Sequence, residues 1–175
     1  HTLLEGATWG KLALPTLVVR GSLVRVALHF LLLTLMRVLS IDYGKKRTGL
    51  AVTDPAQIIA NALTTVDTSE LMAFVMHYVA TEPVERIVIG LPVQTNGLPS
   101  ENQQRARRFG DKLQERLPHI TVEYYDERFT SVLAQRAIRE SGIGRKRRET
   151  DKGLVDEVSA CIILQSWMES RTMHL

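Results

Sequence analysis

Residues 40–54 read Ser-Ile-Asp-Tyr-Gly-Lys-Lys-Arg-Thr-Gly-Leu-Ala-Val-Thr-Asp and carry the strongest signal in the chain. An apolar run ends on Asp42, a basic turn framed by glycines follows, and a second apolar run begins at Gly49. This pattern predicts a β-hairpin whose first strand holds a carboxylate inside an otherwise hydrophobic sheet. A buried carboxylate is costly unless it is paired with a cation or binds a metal. The hairpin therefore indicates a metal or phosphate site as well as the start of a sheet.

The composition is typical of one globular domain. The chain has 175 residues, of which 45% are hydrophobic and 23% are charged, and this is enough apolar content for a core. The net charge of +3 is only a weak indication of polyanionic partners. A single cysteine, Cys161, excludes an intrachain disulfide framework. We therefore expect a cytoplasmic location, where thiols stay reduced.

The first 35 residues differ from the rest of the chain. They contain no acidic residue after Glu5, and their apolar stretch over residues 23–35 is interrupted by an arginine and a histidine. This stretch is short and interrupted for a transmembrane helix, and no small-residue cleavage site follows it as in a signal peptide. We interpret residues 1–35 as an extension outside the domain, such as an upstream start would add, and we place the domain at residues 36–175. The alternative is a membrane or interfacial anchor.

The patterns after residue 54 alternate between strands and helices. Apolar β-rich runs predict strands over residues 62–66, 86–91 and 121–125. Periodic apolar positions predict four helices. The first is capped by Thr68 or Ser69 and ends at about residue 80, and the second is capped by Ser100 and covers 101–117. The third runs from 130 or 131 to 140, and the fourth covers 153–169. An antiparallel opening followed by βα units predicts an α/β domain of three layers around a central mixed sheet.

Acidic residues occur at three places that this fold can bring together. Asp42 belongs to the first strand, Asp126 and Glu127 end a later strand, and Asp156 lies in the first turn of the last helix. Sites in open α/β sheets gather at the carboxyl ends of parallel strands. A helix dipole or a helix cap also explains the last three acids individually. Asp42 is the hardest to explain without a partner, because interior strand positions rarely hold an unpaired acid.

Carboxylates without histidine or cysteine partners favour hard cations such as Mg²⁺ or Mn²⁺. Two such ions, about 3.5–4 Å apart, stabilise the attacking and leaving oxygens in phosphodiester cleavage. Basic residues flank the acids, and a nucleic-acid backbone requires such charge. The residues predicted to contact nucleic acid are Lys45, Lys46, Arg47, Arg128, Arg145, Lys146, Arg147, Arg148 and Lys152. The alternatives are a solvated loop over 145–148, and ion pairs of Arg128 and Lys152 with neighbouring acids.

Four motifs, in order along the chain, resemble those of the YqgF/RuvX family, bacterial relatives of Holliday-junction resolvases. The stretch from Asp42 to Asp54 resembles the first motif, and Gly90-Leu91-Pro92 with Asn96-Gly97 resembles the second. The third is Asp126-Glu127-Arg128-Phe129-Thr130. The fourth is Asp156-Glu157-Val158-Ser159-Ala160, followed by Ile162-Ile163-Leu164-Gln165. The resemblance covers about residues 36–170, and Ser159 stands where the family more often has alanine.

The resemblance implies an RNase H-like fold and a metal-dependent nuclease that processes the 5′ end of pre-16S rRNA or cuts branched DNA. It implies Asp42, Glu127 and Asp156 as the catalytic, metal-binding triad, with two Mg²⁺ or Mn²⁺ ions. Asp126 stays open as a fourth ligand, because only one of two adjacent strand residues should face the site. The implied partners are nucleic acid and the precursor of the small ribosomal subunit, and the protein is expected to be a monomer or a homodimer.

Two other functions fit parts of the pattern. A non-catalytic RNA-binding factor in ribosome assembly would keep the fold while its acids are vestigial. A phosphotransferase of the actin/hexokinase type also opens with an Asp-x-Gly hairpin, but that architecture uses two such domains and a second phosphate hairpin, and this chain offers one. No base-reading element distinguishes RNA from DNA as the substrate.

Overall fold

A computed structural model describes residues 35–92, 98–130, 136, 139–140 and 152–172. Within them the elements are β1 (Arg37–Asp42), β2 (Arg47–Thr53), β3 (Ala60–Asp67), α1 (Leu71–Thr81), β4 (Val84–Leu91), α2 (Glu101–Arg116), β5 (Thr121–Asp126), a 3₁₀ turn (Glu127–Phe129) and α3 (Lys152–Thr172). The extension over 1–35 lies outside the described residues except for Leu35, and so does most of the helix predicted up to residue 140, of which Arg136, Arg139 and Glu140 are helical. No helix of the described part is long and apolar enough to cross a membrane.

The strands form one mixed sheet in the order β3-β2-β1-β4-β5. The first three strands pair antiparallel, whereas β4 runs parallel to both β1 and β5. The predicted mixed sheet, with its antiparallel opening, is therefore confirmed. The parallel pairing brings the carboxyl ends of β1, β4 and β5 to one edge of the sheet, and Asp42 and Asp126 end their strands there.

Helices cover both faces of the sheet, which explains why its central strands are continuous apolar runs. Side chains alternate along β1: Leu39 and Ile41 belong to the core shared with α1 and α2, whereas Val38 belongs to the core shared with α3. Ser40 is fully buried and donates a hydrogen bond of 2.7 Å to the carbonyl of Ala160 in α3. By the same alternation, Asp42 follows Ser40 on the face that α3 covers.

The hydrogen bond between β1 and α3 should have a measurable effect on stability. Ser40→Ala is expected to lower the free energy of unfolding by about 1 kcal/mol, the usual net value of such a bond, and Tm by roughly 2–4 °C. Thermal unfolding followed by circular dichroism measures this. Ser170→Ala is the control, since the Ser170 hydroxyl donates only to Trp167 of the same helix. An equal loss in both variants would contradict a special contribution from the β1–α3 bond.

The start of α1 differs from the prediction. Glu70 occupies the N-cap position and no side chain caps the helix. The hydroxyl of Thr68, one of the two predicted caps, instead donates to the carbonyl of Gly44 at 2.8 Å and lies 2.9 Å from the hydroxyl of Thr48. Thr68 therefore ties the end of β3 to the turn of the opening hairpin, which the sequence pattern could not show.

The starts of the other two helices can also be compared with the prediction. Ser100 caps α2 as predicted, accepting a hydrogen bond from the backbone N–H of Gln103. The last helix, α3, begins at Lys152, so Asp156 lies in its second turn and not in its first. The helix dipole acts mainly within the first turn, so it explains an acid at this position less well than predicted.

Candidate functional site

Asp42 lines a cavity between the sheet and α3. It is the last residue of β1 and is partly buried. The cavity has a volume of about 290 Å³ and is lined by Asp42, Glu127, Thr130, Ser159, Ile162 and Ile163. Two of the predicted site residues therefore share one cavity, although they lie on different strands of the sheet or just beyond them.

Glu127 reaches this cavity because of the alternation along β5. Tyr125 packs into the core beneath α3, whereas Tyr124 packs into the opposite core, so the residue two positions after Tyr125 continues on the α3 side. Gly90 of β4 leaves room for it, since a Cβ at Gly90 would lie 3.1 Å from Oε1 of Glu127. Of the two adjacent acids, Glu127 is therefore the one that lines this cavity.

Asp126 forms hydrogen bonds with Arg128 and is not among the residues that line the cavity. Its carboxylate accepts hydrogen bonds from the backbone N–H of Arg128 at 2.9 Å and from Nε of the same residue at 2.9 and 3.1 Å. These side-chain hydrogen bonds hold the pKa of Asp126 below its usual value. Asp126 therefore caps the 3₁₀ turn, and Arg128 forms the ion pair that was the alternative to phosphate contact.

Asp156 lies next to a second cavity, of about 620 Å³, which is lined by Lys45, Lys46, Arg47, Asp67 and Asp156. Its Oδ2 atom lies 3.2 Å from Nε of Arg47, within ion-pair distance. The same Oδ2 is buried and has no hydrogen-bond partner, so the two groups are close but not aligned for a hydrogen bond. The third acid of the predicted triad therefore faces the cations of the hairpin turn.

The backbone of α3 comes into contact with the sheet beside Asp42. Gly49 is the register partner of Asp42 on β2, and a Cβ at Gly49 would lie 2.0 Å from the carbonyl oxygen of Asp156 and 2.8 Å from the backbone nitrogen of Glu157. Only a glycine admits this approach. This contact sets the distance between the helical turn of α3 that contains Asp156 and the strands β1 and β2.

Burial and mutual repulsion act on the acids in this region. Burial, followed by the charges of Glu127 and Asp156, raises the pKa of Asp42 to about 7. Burial, followed by the charge of Asp126, also raises the pKa of Glu127. With a pKa of about 7, Asp42 is fully ionised at neutral pH only when a cation compensates its charge. Among the described residues, however, no three His, Cys, Asp or Glu side chains are close enough together to hold a metal ion.

The structure describes only some of the residues that were predicted to contact nucleic acid. Lys45, Lys46 and Arg47 are exposed and line the second cavity. Lys152 is the first residue of α3, but its side chain lies outside the described residues, as do the run 145–148 and the Asn96-Gly97 pair.

The part of α3 that closes the first cavity belongs to the fourth motif, but its residues were not among those predicted for the site. Ser159, Ile162 and Ile163 line this cavity, and the hydroxyl of Ser159 donates to the carbonyl of Val155 at 3.1 Å. The available signal was their position in and directly after the fourth motif, one and two helical turns beyond Asp156.

The sequence matches the family model described as RuvX: Holliday junction resolvase over residues 36–170. A relative from Bacteroides thetaiotaomicron is 56% identical over 135 residues, covering 77% of this chain and 97% of the relative. A relative from Flavobacterium johnsoniae is 47% identical over 135 residues, with the same two shares of 77% and 97%. Both are named "Putative pre-16S rRNA nuclease".

Among solved structures, the chain is similar to T. thermophilus RuvC in complex with Holliday junction substrate. The TM-score is 0.53 at 17% sequence identity, and the match covers 78% of this chain and 96% of that chain. At this identity the likeness concerns the fold, and it confirms the RNase H-like architecture that the four motifs implied. With the family model matching most of its length, the chain belongs to the RuvX family of Holliday junction resolvases.

Proposed function

We propose that this protein is a metal-dependent nuclease that hydrolyses phosphodiester bonds at the 5′ end of precursor 16S rRNA, with Asp42, Glu127 and Asp156 as its catalytic residues. One observation carries the proposal: the carboxyl group of Asp42 shares a cavity with Glu127 and has a pKa of about 7, raised by burial and by the charges of Glu127 and Asp156. A buried carboxyl group with a raised pKa does not stabilise the fold, and such groups are concentrated at functional sites. This substrate implies a cytoplasmic location.

The comparisons support the choice of substrate class. Relatives that share about half of their residues with this chain carry the pre-16S rRNA nuclease name, and the family description names a Holliday junction resolvase. Branched DNA is therefore the alternative substrate of the same site. Both substrates present a phosphodiester backbone to a protein whose turn cations, Lys45 and Lys46, line the cavity beside Asp156.

The donor set fits a hard divalent cation such as Mg²⁺ or Mn²⁺, because it consists of carboxylate oxygens alone. The buried Oδ2 of Asp156, which lacks a hydrogen-bond partner, has capacity for such a cation. Asp42, Glu127 and Asp156 would hold two ions, and Asp126 would not, because Arg128 occupies its carboxylate. Bound ions supply Lewis-acid stabilisation of the attacking and leaving oxygens.

The residues of the chain itself have two tasks in this reaction. Lys45, Lys46 and Arg47 hold the phosphodiester backbone in the larger cavity by charge. The apolar side chains of Ile162 and Ile163 form one wall of the smaller cavity, and they limit the water that reaches Asp42 and Glu127. Restricting water strengthens every electrostatic interaction in the site.

A non-catalytic RNA-binding factor is the second candidate, and one observation favours it. In the part of the chain that the structure describes, no three of the acids lie close enough together to hold one metal ion in common. The basic cavity would then bind RNA without cleaving it. Cleavage assays separate the two functions, because both predict RNA binding and only the nuclease predicts Mg²⁺- or Mn²⁺-dependent product.

We expect a 5′-labelled precursor-rRNA leader to be cleaved in Mg²⁺ or Mn²⁺ and left intact in chelator. Glu127→Gln should reduce the single-turnover rate at least about a hundredfold, because a lost cation ligand removes several kcal/mol of transition-state stabilisation. Asp126→Asn is the matched control, since it changes the neighbouring acid, which is bonded to Arg128. Its rate should stay within about threefold of the wild type.

Gel-resolved products and filter binding of the same RNA give the two readouts. Tight RNA binding by the wild type with no cleavage in either metal would support the assembly factor. Equal losses in Glu127→Gln and Asp126→Asn would contradict the assignment of Glu127 as the acid that acts in the site. Cleavage of a synthetic four-way DNA junction but not of the leader RNA would assign the alternative substrate.

A further inference from the structure

We infer that Arg47 is a positioning residue that holds Asp156 in the basic cavity until a nucleic-acid phosphate takes over its guanidinium, so that substrate and divalent cations bind with positive coupling. This inference rests on the proposed metal-dependent nuclease function. In this role Arg47 links the binding of substrate to the binding of cations, in addition to attracting the substrate by its charge.

The positions of the three acids indicate that Asp156 is held apart from the other two. Asp42 and Glu127 line one cavity, whereas Asp156 lines the other, together with Arg47. The 3.2 Å ion pair with Nε of Arg47 is the ion pair that the structure gives to Asp156 within its described residues. The triad is therefore divided between two cavities, and the partner of its third member is a cation of the hairpin turn.

The Arg47–Asp156 pair is suited to exchange. The side chains retain 42% and 27% of their exposure, and Oδ2 of Asp156 accepts no hydrogen bond from the guanidinium. Partly exposed ion pairs without aligned hydrogen bonds contribute little to stability. A ligand with better geometry for either partner can therefore separate them at low cost.

A phosphate is the better ligand for Arg47. Guanidinium groups bind phosphate through two parallel hydrogen bonds, which the present contact with Asp156 lacks. Lys45 and Lys46 line the same cavity, and neither has an acidic partner within ion-pair distance among the described residues. A backbone phosphate entering the cavity would thus meet three cations, of which only Arg47 must leave an acid.

Release of Asp156 favours cation binding. Without Arg47, the carboxylate of Asp156 adds uncompensated charge to a region where its field and that of Glu127 already act on Asp42. A divalent cation relieves this repulsion, so a substrate that withdraws Arg47 raises the affinity for the cation. By reciprocity, the cation raises the affinity for the substrate by the same factor.

Calorimetric titration of the full chain with Mn²⁺ tests the coupling, with and without a cleavage-resistant phosphorothioate oligonucleotide of the precursor sequence. For the wild type we expect the oligonucleotide to tighten Mn²⁺ binding about three- to fivefold, the range that a partly exposed ion pair allows. For Arg47→Gln we expect Mn²⁺ binding without oligonucleotide to be tighter than in the wild type by the same factor, and the coupling to vanish.

Two further variants separate positioning from general electrostatics. Lys46→Gln removes a cation from the same cavity but leaves the Arg47–Asp156 pair, so it should weaken oligonucleotide binding and keep the coupling. Arg47→Lys retains the charge and should keep part of the coupling. Equal effects of Lys46→Gln and Arg47→Gln on Mn²⁺ affinity, or an unchanged affinity in Arg47→Gln, would overturn the inference and leave the nuclease proposal intact. Absence of Mn²⁺ binding in every variant would overturn both.

Discussion

Asp42→Asn is expected to abolish phosphodiester cleavage and, in the same molecule, to stabilise the metal-free protein. The loss of activity should be at least about a hundredfold, because a neutral amide is a far poorer ligand for a hard cation than a carboxylate. The gain in stability follows from the raised pKa of Asp42. Active sites commonly carry this conflict between stability and function.

The size of this stabilisation depends on pH. The pKa of Asp42 is about 7 in the folded protein against an ordinary value of 3.8, so the folded state binds more protons than the unfolded state between these two values. The contribution of Asp42 to the free energy of unfolding therefore falls as pH rises from about 4 to 7. The raised pKa of Glu127 acts in the same direction. At pH 8 the cost of ionised Asp42 is complete, and its removal should raise Tm by several degrees.

Thermal unfolding in chelator at pH 5 and pH 8 measures this effect. The stabilisation by Asp42→Asn should be larger at pH 8 than at pH 5. Asp54→Asn provides a control of opposite sign: burial acts to raise the pKa of Asp54, but backbone N–H groups of Ile59, Ile58 and Ala56 lower it overall. That variant should lower Tm and leave cleavage in place. A destabilised Asp42→Asn at pH 8 would contradict the electrostatic description of the site.

The sequence was sufficient to predict the strands of the sheet and to single out Asp42 as an unusual acid. Asp42 stood out because an acid in an apolar run has few structural explanations, and the mixed sheet followed from the order of the apolar runs. Local patterns carry this information, since strands and helices differ in their periodicity. The choice between Asp126 and Glu127 depended on the face of the sheet, which Tyr124 and Tyr125 reveal only through their packing in opposite cores.

Contacts between distant parts of the chain were not predictable. Gly49 fits the pattern of a glycine that frames a turn, yet a Cβ at this position would collide with the backbone of Asp156. Arg47 fits the pattern of a substrate-binding cation, yet it pairs with the same residue. Both contacts depend on how α3 crosses the sheet, and neither leaves a signal in the sequence around residue 47 or residue 156.

Gly49→Ala is the second substitution with a large expected effect. The added Cβ would lie 2.0 Å from the carbonyl oxygen and 2.2 Å from the carbonyl carbon of Asp156. These are backbone atoms, so no side-chain rotation relieves the collision, and the amino-terminal part of α3 must move away from β2. We expect a loss of about 3 kcal/mol in the free energy of unfolding, at the upper end for overpacking, and a decrease in Tm of roughly 6–12 °C.

The same movement displaces Asp156 from Arg47 and from Asp42, so cleavage by Gly49→Ala should be strongly reduced even at temperatures where the variant is folded. Gly90→Ala is the comparison, because its Cβ would meet the Cδ1 atom of Ile163 at 2.5 Å, the end of a side chain that can rotate. Its loss of stability should therefore be smaller. Urea unfolding and single-turnover cleavage at low temperature measure both variants. If Gly49→Ala kept wild-type stability and activity, α3 would tolerate a different distance from the sheet. The position of Asp156 would then not depend on this glycine.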